Sequence, residues 1–316
     1  MKAITDLRFI VVSGKGGVGR TTVAATLARV AAASGKRVLL AAAAATDRLG
    51  RLYGHQQPLG PTISTLAPGI DGVNITPSSS LIEYGVKVLR SETVSRAVFE
   101  NRAVRGLLGA IPGLDAYALL GKAWWHTTEV RDGRPRYDLV VFDGPASGHA
   151  ALMLRIPQAI LNAMPRGPLA SDAREIKALL QDPARAAIVI VTLAEDLPAS
   201  ETRELAAQAR ETLAMPLGPI IVNAVPTDAL STAAIDDVLA AHARGKSRVS
   251  GSARPLDATL ALAIGVRAHR EAANRVLEGL KRDLALPMIT LPRIPTAEIG
   301  PAIIAELTPH LAEQIR

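Results

Sequence analysis

A chain of 316 residues with 48% hydrophobic content can bury one large core, or one core with a smaller helical addition. It has no cysteine, which excludes disulfides, thiolate nucleophiles and thiolate zinc sites, and its six histidines show none of the close pairings that zinc needs. The net charge of +7 is spread along the chain and aromatics make up only 3%, so nucleic acid is not an expected partner.

No apolar run approaches the ~18 residues needed to cross a bilayer, and the opening residues lack the charged-then-apolar order of a secretory signal. The expected setting is cytoplasmic, with no integral membrane segment. The first predicted element is a strand over Phe9–Val12, β-branched and running directly into glycines. A helix from Thr21 to Ala33 follows, stopped by Ser34 and Gly35. Further strands are predicted at Val38–Ala43, Leu139–Phe142, Ala187–Val191, Ile220–Val222 and Pro287–Leu291. Helix-length segments such as Ser200–Leu213 and Ile235–Arg244 separate them. Strands alternating with helices predict an α/β fold, a doubly wound and mainly parallel sheet.

Two stretches break the alternation. Ser79 to Trp125 has helical patterning with many apolar side chains, among them Leu81, Ile82, Leu119, Leu120, Trp124 and Trp125. These either complete the core or form an exposed apolar surface. The expectation is one domain over 1–316 with an inserted helical subdomain at 79–130. Gly245–Arg254 reads as a polar linker before a long helix from Pro255 to Asp283. No internal repeat is visible, and the chain has a single glycine-rich loop.

That loop, Gly14-Lys15-Gly16-Gly17-Val18-Gly19-Arg20-Thr21, lies between a strand and a helix, the context that a phosphate-binding loop requires. Glycines let successive N–H groups turn toward an anion, and the helix adds the positive end of its dipole. Thr21 supplies a hydroxyl for magnesium. Arg20 stands where a lysine is usual, and its longer planar head fits differently between phosphates. Further on, an apolar strand ends in Asp143, followed by Gly144-Pro145-Ala146-Ser147-Gly148-His149. A carboxylate at that position can hold magnesium through water, while the small residues after it sense a γ-phosphate.

KGGVGRTT resembles the deviant Walker A loop, KGGxGK[ST], of the partition, arsenical pump-driving and tail-anchored-protein targeting ATPases. DGPASGH is similar to the switch of the arsenical-pump and tail-anchored-targeting branch. The resemblance implies ATP or ADP with Mg2+, held by residues 14 and 16–22, including Thr22 beside Thr21. It implies a homo- or heterodimer with a related P-loop ATPase, across which Lys15 reaches the partner's nucleotide. Asn223, at a strand end, and Pro292 and Ile294 resemble that branch's adenine pocket. The resemblance also implies a protein or apolar-helix client.

One departure stands out. Where the branch has a switch aspartate that positions the attacking water, this chain has Ala44, and Asp47 comes three residues later. Losing such a group costs on the order of 100- to 10,000-fold in rate. Three readings therefore follow: an ATP-driven dimeric switch, as the weakly hydrolysing partner in a heterodimer; a catalytically silent scaffold; and a partition-type DNA-associated ATPase, disfavoured by the scattered charge.

Overall fold

The computed structural model describes residues 3–43, 48–89, 113–226, 254–296 and 298–315, with isolated positions between 91 and 102 and between 236 and 240. All of the predicted helix at 235–244 except the helical positions 236, 237 and 240, and nearly all of the 245–254 linker, lie outside the described residues, as do Leu107, Leu108 and Ile111 of the apolar stretch between Ser79 and Trp125.

The anticipated strands are present with small changes in their bounds. They are β1 (Phe9–Gly14), β2 (Val38–Ala42), β7 (Leu139–Asp143), β8 (Ala186–Leu193), β9 (Leu217–Val225) and β10 (Met288–Pro292). Two further strands were not anticipated: β3 (Ser64–Ala67) and β4 (Ile70–Asn74). Their short, glycine- and polar-containing sequences carry little strand patterning, and pairing against β2 decides their conformation. A separate two-stranded hairpin joins β5 (Val130–Arg131) to β6 (Arg134–Pro135).

The main sheet runs in the order β10-β9-β8-β1-β7-β2-β4-β3. Its strands are parallel except β3, which closes one edge antiparallel to β4. β1 sits between β8 and β7, where the chain's progression changes direction. In such sheets the crevice beyond the carboxyl ends of the strands at this point is the natural ligand site.

Helices cover both faces of the sheet, which is why the central strands read as unbroken apolar runs. One face carries Ile10 and Val12 against α1 (Arg20–Ala33) and α9 (Pro301–Ile315), through Val23, Leu27, Leu307 and Leu311. The other carries Phe9, Val11 and Phe142. Against that face pack α4 (Leu114–Thr128), α5 (Ser147–Ala163), α6 (Pro168–Gln181), α7 (Asp196–Gln208) and α8 (Arg254–Leu284). α7 runs on into a π-helical turn at Ala209–Leu213. α2 (Leu49–Leu52) is a single short turn, and α3 (Pro77–Leu89) pairs with α4.

Of the two readings of the helical stretch, core completion describes α4: Tyr117, Leu120, Ala123 and Trp124 all join the core cluster. The Lys87 ammonium ties α3 to its neighbours, bonded to Asp172 at 3.1 Å and lying over the Trp125 ring at 4.8 Å from its centre. Among the described residues no helix is long and apolar enough to cross a membrane.

The starts of β2 and β7 are joined by Arg37, whose Nη2 and Nε donate to the Asp138 carboxylate at 2.8 and 3.1 Å. The hydrogen bond from Arg37 holds the Asp138 carboxyl below its usual range. A lowered carboxylate contributes stability above its unfolded value of about 4 and loses it as acid takes the pH below. Both partners are more than a third exposed, so Arg37→Ala should cost no more than ~1 kcal/mol at pH 7. The gap between urea melts of the two proteins should be full at pH 7 and narrow as the pH falls below about 4; a gap that does not narrow would contradict this account of the pair.

Candidate functional site

The site is built where β1 turns into α1. Ser13 and Gly14 end the strand, residues 15–19 form the loop, and Gly19, at φ 90°, is the residue before the helix. Gly14 has φ 147°, and a Cβ there would run into the Val191 carbonyl oxygen of β8. Both positions demand glycine, for backbone conformation and for close approach. Among the described residues no side chain caps α1, so its first N–H groups face the loop mouth, the standard condition for binding an anion. Gly16 and Gly17 are exposed, and a Cβ at either would meet nothing within 4 Å. The backbone at these two positions is therefore open to the approach of an anion.

Asp143 ends β7 in register with Val12 of β1 and Ala42 of β2. Its Oδ2 accepts a 2.7 Å hydrogen bond from Thr21 Oγ1. Burial pushes the Asp143 carboxyl up to about 6, while the Thr21 bond and the charges of Arg20 and Arg48 pull the other way. A buried carboxylate against a hydroxyl at the foot of an anion loop is a hard-oxygen donor set suited to magnesium. The segment after Asp143 is tied to the loop: Gly144 N–H donates to Val12 O at 3.0 Å, and Ser13 Oγ to Pro145 O at 3.1 Å.

Arg20 turns back into its own loop, donating from Nη1 to the Gly14 carbonyl at 2.8 Å. Lys15 forms an ion pair with Glu201 of α7, whose other carboxylate oxygen accepts from Ser147 Oγ at 2.8 Å. Glu201 carries no signal in the linear sequence; it reaches the loop only because α7 packs beside β1. Thr22 sits in the first turn of α1, where its carbonyl accepts from Thr26 Oγ1 at 2.8 Å.

Asn223, near the end of β9, donates from Nδ2 to Val18 O at 2.9 Å, against Gly19. Beside it opens a cavity of about 310 Å³, bounded by Gly17, Val18 and Gly19 from the loop, Glu195 after β8, and His269 of α8. Arg293 also borders it, between the two positions named from the sequence. Pro292 closes β10 opposite Val225, and Ile294 packs partly buried against the α1 side of the core. His269, Glu195 and Arg293 were not anticipated; they lie in unpatterned or helical segments that the fold folds back over the loop. Ala44 and Asp47 lie outside the described residues.

A glycine loop opening a helix at the switch point of a mainly parallel sheet, with a strand-end carboxylate beside it, defines the P-loop nucleoside-triphosphatase class. Residues 7–167, just over half the chain, match the anion-transporting ATPase family. The chain belongs to that family. It is 28% identical to ATPase BagA of Mycobacterium tuberculosis, over 98% of this chain and 94% of that protein. It is 29% identical to an arsenical pump-driving ATPase of Escherichia coli, over 74% of this chain and 41% of that protein. Against ATPase GET3 of Kluyveromyces lactis it is 25% identical, over 68% of this chain and 71% of that protein.

Asn223→Ala would leave the Val18 carbonyl without its donor and slacken the loop. With a net hydrogen bond worth about 0.5–1.5 kcal/mol, nucleotide affinity should fall by up to ~10-fold in calorimetry. An unchanged affinity would mean that the amide does not brace the loop.

Proposed function

We propose that the chain is an ATP-binding molecular switch whose closed state is a dimer, with Lys15 of each subunit directed at the nucleotide of the other. The observation that carries this reading is the open, uncapped loop mouth next to the Thr21 and Asp143 pair. Residues 14 and 16–22 wrap the phosphates with backbone N–H groups, and Thr21 and Asp143 hold Mg2+. The metal, when bound, neutralises charge on the phosphate oxygens. The neighbouring cavity takes the base beside Asn223, and Pro292 and Ile294 flank Arg293 at its border. ATP drives closure only by binding the closed state more tightly than the open one.

Hydrolysis at this subunit's own site is weak. Arg20, in the place of the usual lysine, is engaged with the Gly14 carbonyl, and Ala44 has no carboxylate with which to orient water. The chain therefore acts best beside a related subunit with an intact switch, lending Lys15 to that site. The inserted helical subdomain at 79–130, outside the core-packed face of α4, is the part we assign to a protein or apolar-helix client. The same Arg20 contact favours a second reading, a catalytically silent scaffold.

The test is calorimetric titration of the purified chain with ATP and ADP in magnesium, followed by turnover measurement. The expected result is nucleotide binding with turnover well below one per minute, and loss of ATP-dependent dimer in Lys15→Ala. Absence of heat with either nucleotide would establish the scaffold; brisk turnover by the chain alone would remove the need for a helper subunit.

A further inference from the structure

In the proposed switch the ammonium of Lys15 has two competing acceptors, of which the structure contains one. Within its own subunit it is bonded to Glu201 Oε1, and both side chains are only partly exposed, at 27% and 29%. The second oxygen of the same carboxylate accepts from Ser147, the first residue of α5, directly after the Gly144–Ala146 loop that follows Asp143. Three segments far apart in sequence meet at one carboxylate: the phosphate loop, the loop after Asp143 and α7. The lysine that the proposed dimer needs at its partner's phosphates is thus engaged at home.

We infer that Glu201 is a positioning residue that holds Lys15 within its own subunit until nucleotide closes the dimer, and that Ser147 couples this hold to the loop after Asp143. The second half of this statement rests on the proposed switch; the contact itself does not. A partly exposed pair is worth at most ~5-fold in an equilibrium, small enough for a triphosphate carrying several charges to displace it. A stronger hold would block closure, and none at all would leave a flexible lysine to be ordered at the moment of binding, which costs side-chain entropy. Ser147 fixes the carboxylate by occupying its other oxygen. Movement of the 144–146 loop toward a bound nucleotide withdraws that hydroxyl and loosens Glu201.

The experiment uses the full chain without nucleotide, under trace labelling with acetic anhydride and site-by-site quantification by mass spectrometry. Lys36 and Lys87, paired with Asp6 and Asp172, serve as internal references. In Glu201→Gln, Lys15 should label about 3- to 5-fold faster than in the unaltered chain, with the references unchanged. Glu201→Asp should restore most of the protection, and Ser147→Ala should give an intermediate rate. The ATP concentration for half-dimerisation, read by light scattering in magnesium, should fall several-fold in Glu201→Gln. A salt bridge that merely stabilises the fold would lower the melting temperature and free Lys15 for labelling, but would leave the dimerisation midpoint where it is. An unchanged Lys15 labelling rate in both Glu201→Gln and Ser147→Ala overturns the inference, and so does a dimerisation midpoint that stays put or rises. If the unaltered chain never dimerises with ATP, the proposed switch fails, while the labelling still decides whether Glu201 holds Lys15.

Discussion

Gly14→Ala is expected to lower the melting temperature by about 5–10 °C and to abolish nucleotide binding. Gly14 is the last residue of the central strand, at φ 147°, paired with Val191. The added Cβ would meet the Val191 carbonyl oxygen, and Val191 is held by β9 on its other side. Neither strand can yield without disturbing the sheet. Forbidden backbone together with that clash should cost ~3 kcal/mol or more. In a chain of this size, at about 2 cal/mol/K of unfolding entropy per residue, each kcal/mol corresponds to roughly 1.5–2 °C. The loop cannot keep its N–H groups aimed inward once its first residue moves. Gly16→Ala is the control, because its Cβ would meet nothing within 4 Å; it should melt within about 2 °C of the unaltered chain. Equal melting of the two variants would refute the geometric argument.

Asp143→Asn should reduce ATP turnover, measured with the helper subunit if one is needed, by on the order of 100- to 1,000-fold. The same substitution should raise stability when no nucleotide is present. The carboxylate is buried and costs energy to keep charged, which is why its pKa is pushed up to about 6. The amide keeps an oxygen for Thr21 and removes the charge, a gain on the order of 1–3 kcal/mol. With Mg2+ held at Asp143 as proposed, the metal and nucleotide would supply the missing countercharge in the unaltered chain, so thermal stabilisation by magnesium and ADP should be large there and nearly absent in the variant. A variant that melts lower without ligand and still responds to magnesium would mean that Asp143 is a structural carboxylate.

The two substitutions probe parts of the site that stand alike in the chain. Gly14 and Asp143 are both readable before folding, because each terminates an apolar run whose length and β-branching mark a buried strand. The neighbouring contacts are not. Nothing in the composition of Asp196–Gln208 distinguishes Glu201 from the other carboxylates of α7, and Arg20 gives no sign from its position that it turns back to the Gly14 carbonyl. Asn223 was recognisable as a site residue only through resemblance, and its bond to Val18 spans 205 residues.

The sequence by itself determined the alternation of strands and helices, the glycine loop between β1 and α1, and the carboxylate at the end of β7. These are local matters: side-chain periodicity and glycine's backbone freedom act over a few residues and survive in any context. The tertiary structure alone decided that β3 and β4 extend the sheet, that α8 lays His269 over the cavity, and that Glu201 meets Lys15 across 186 residues. Such meetings depend on how helices pack on the sheet, because a side chain's partner is set by the distance between elements and by nothing in the spacing along the chain.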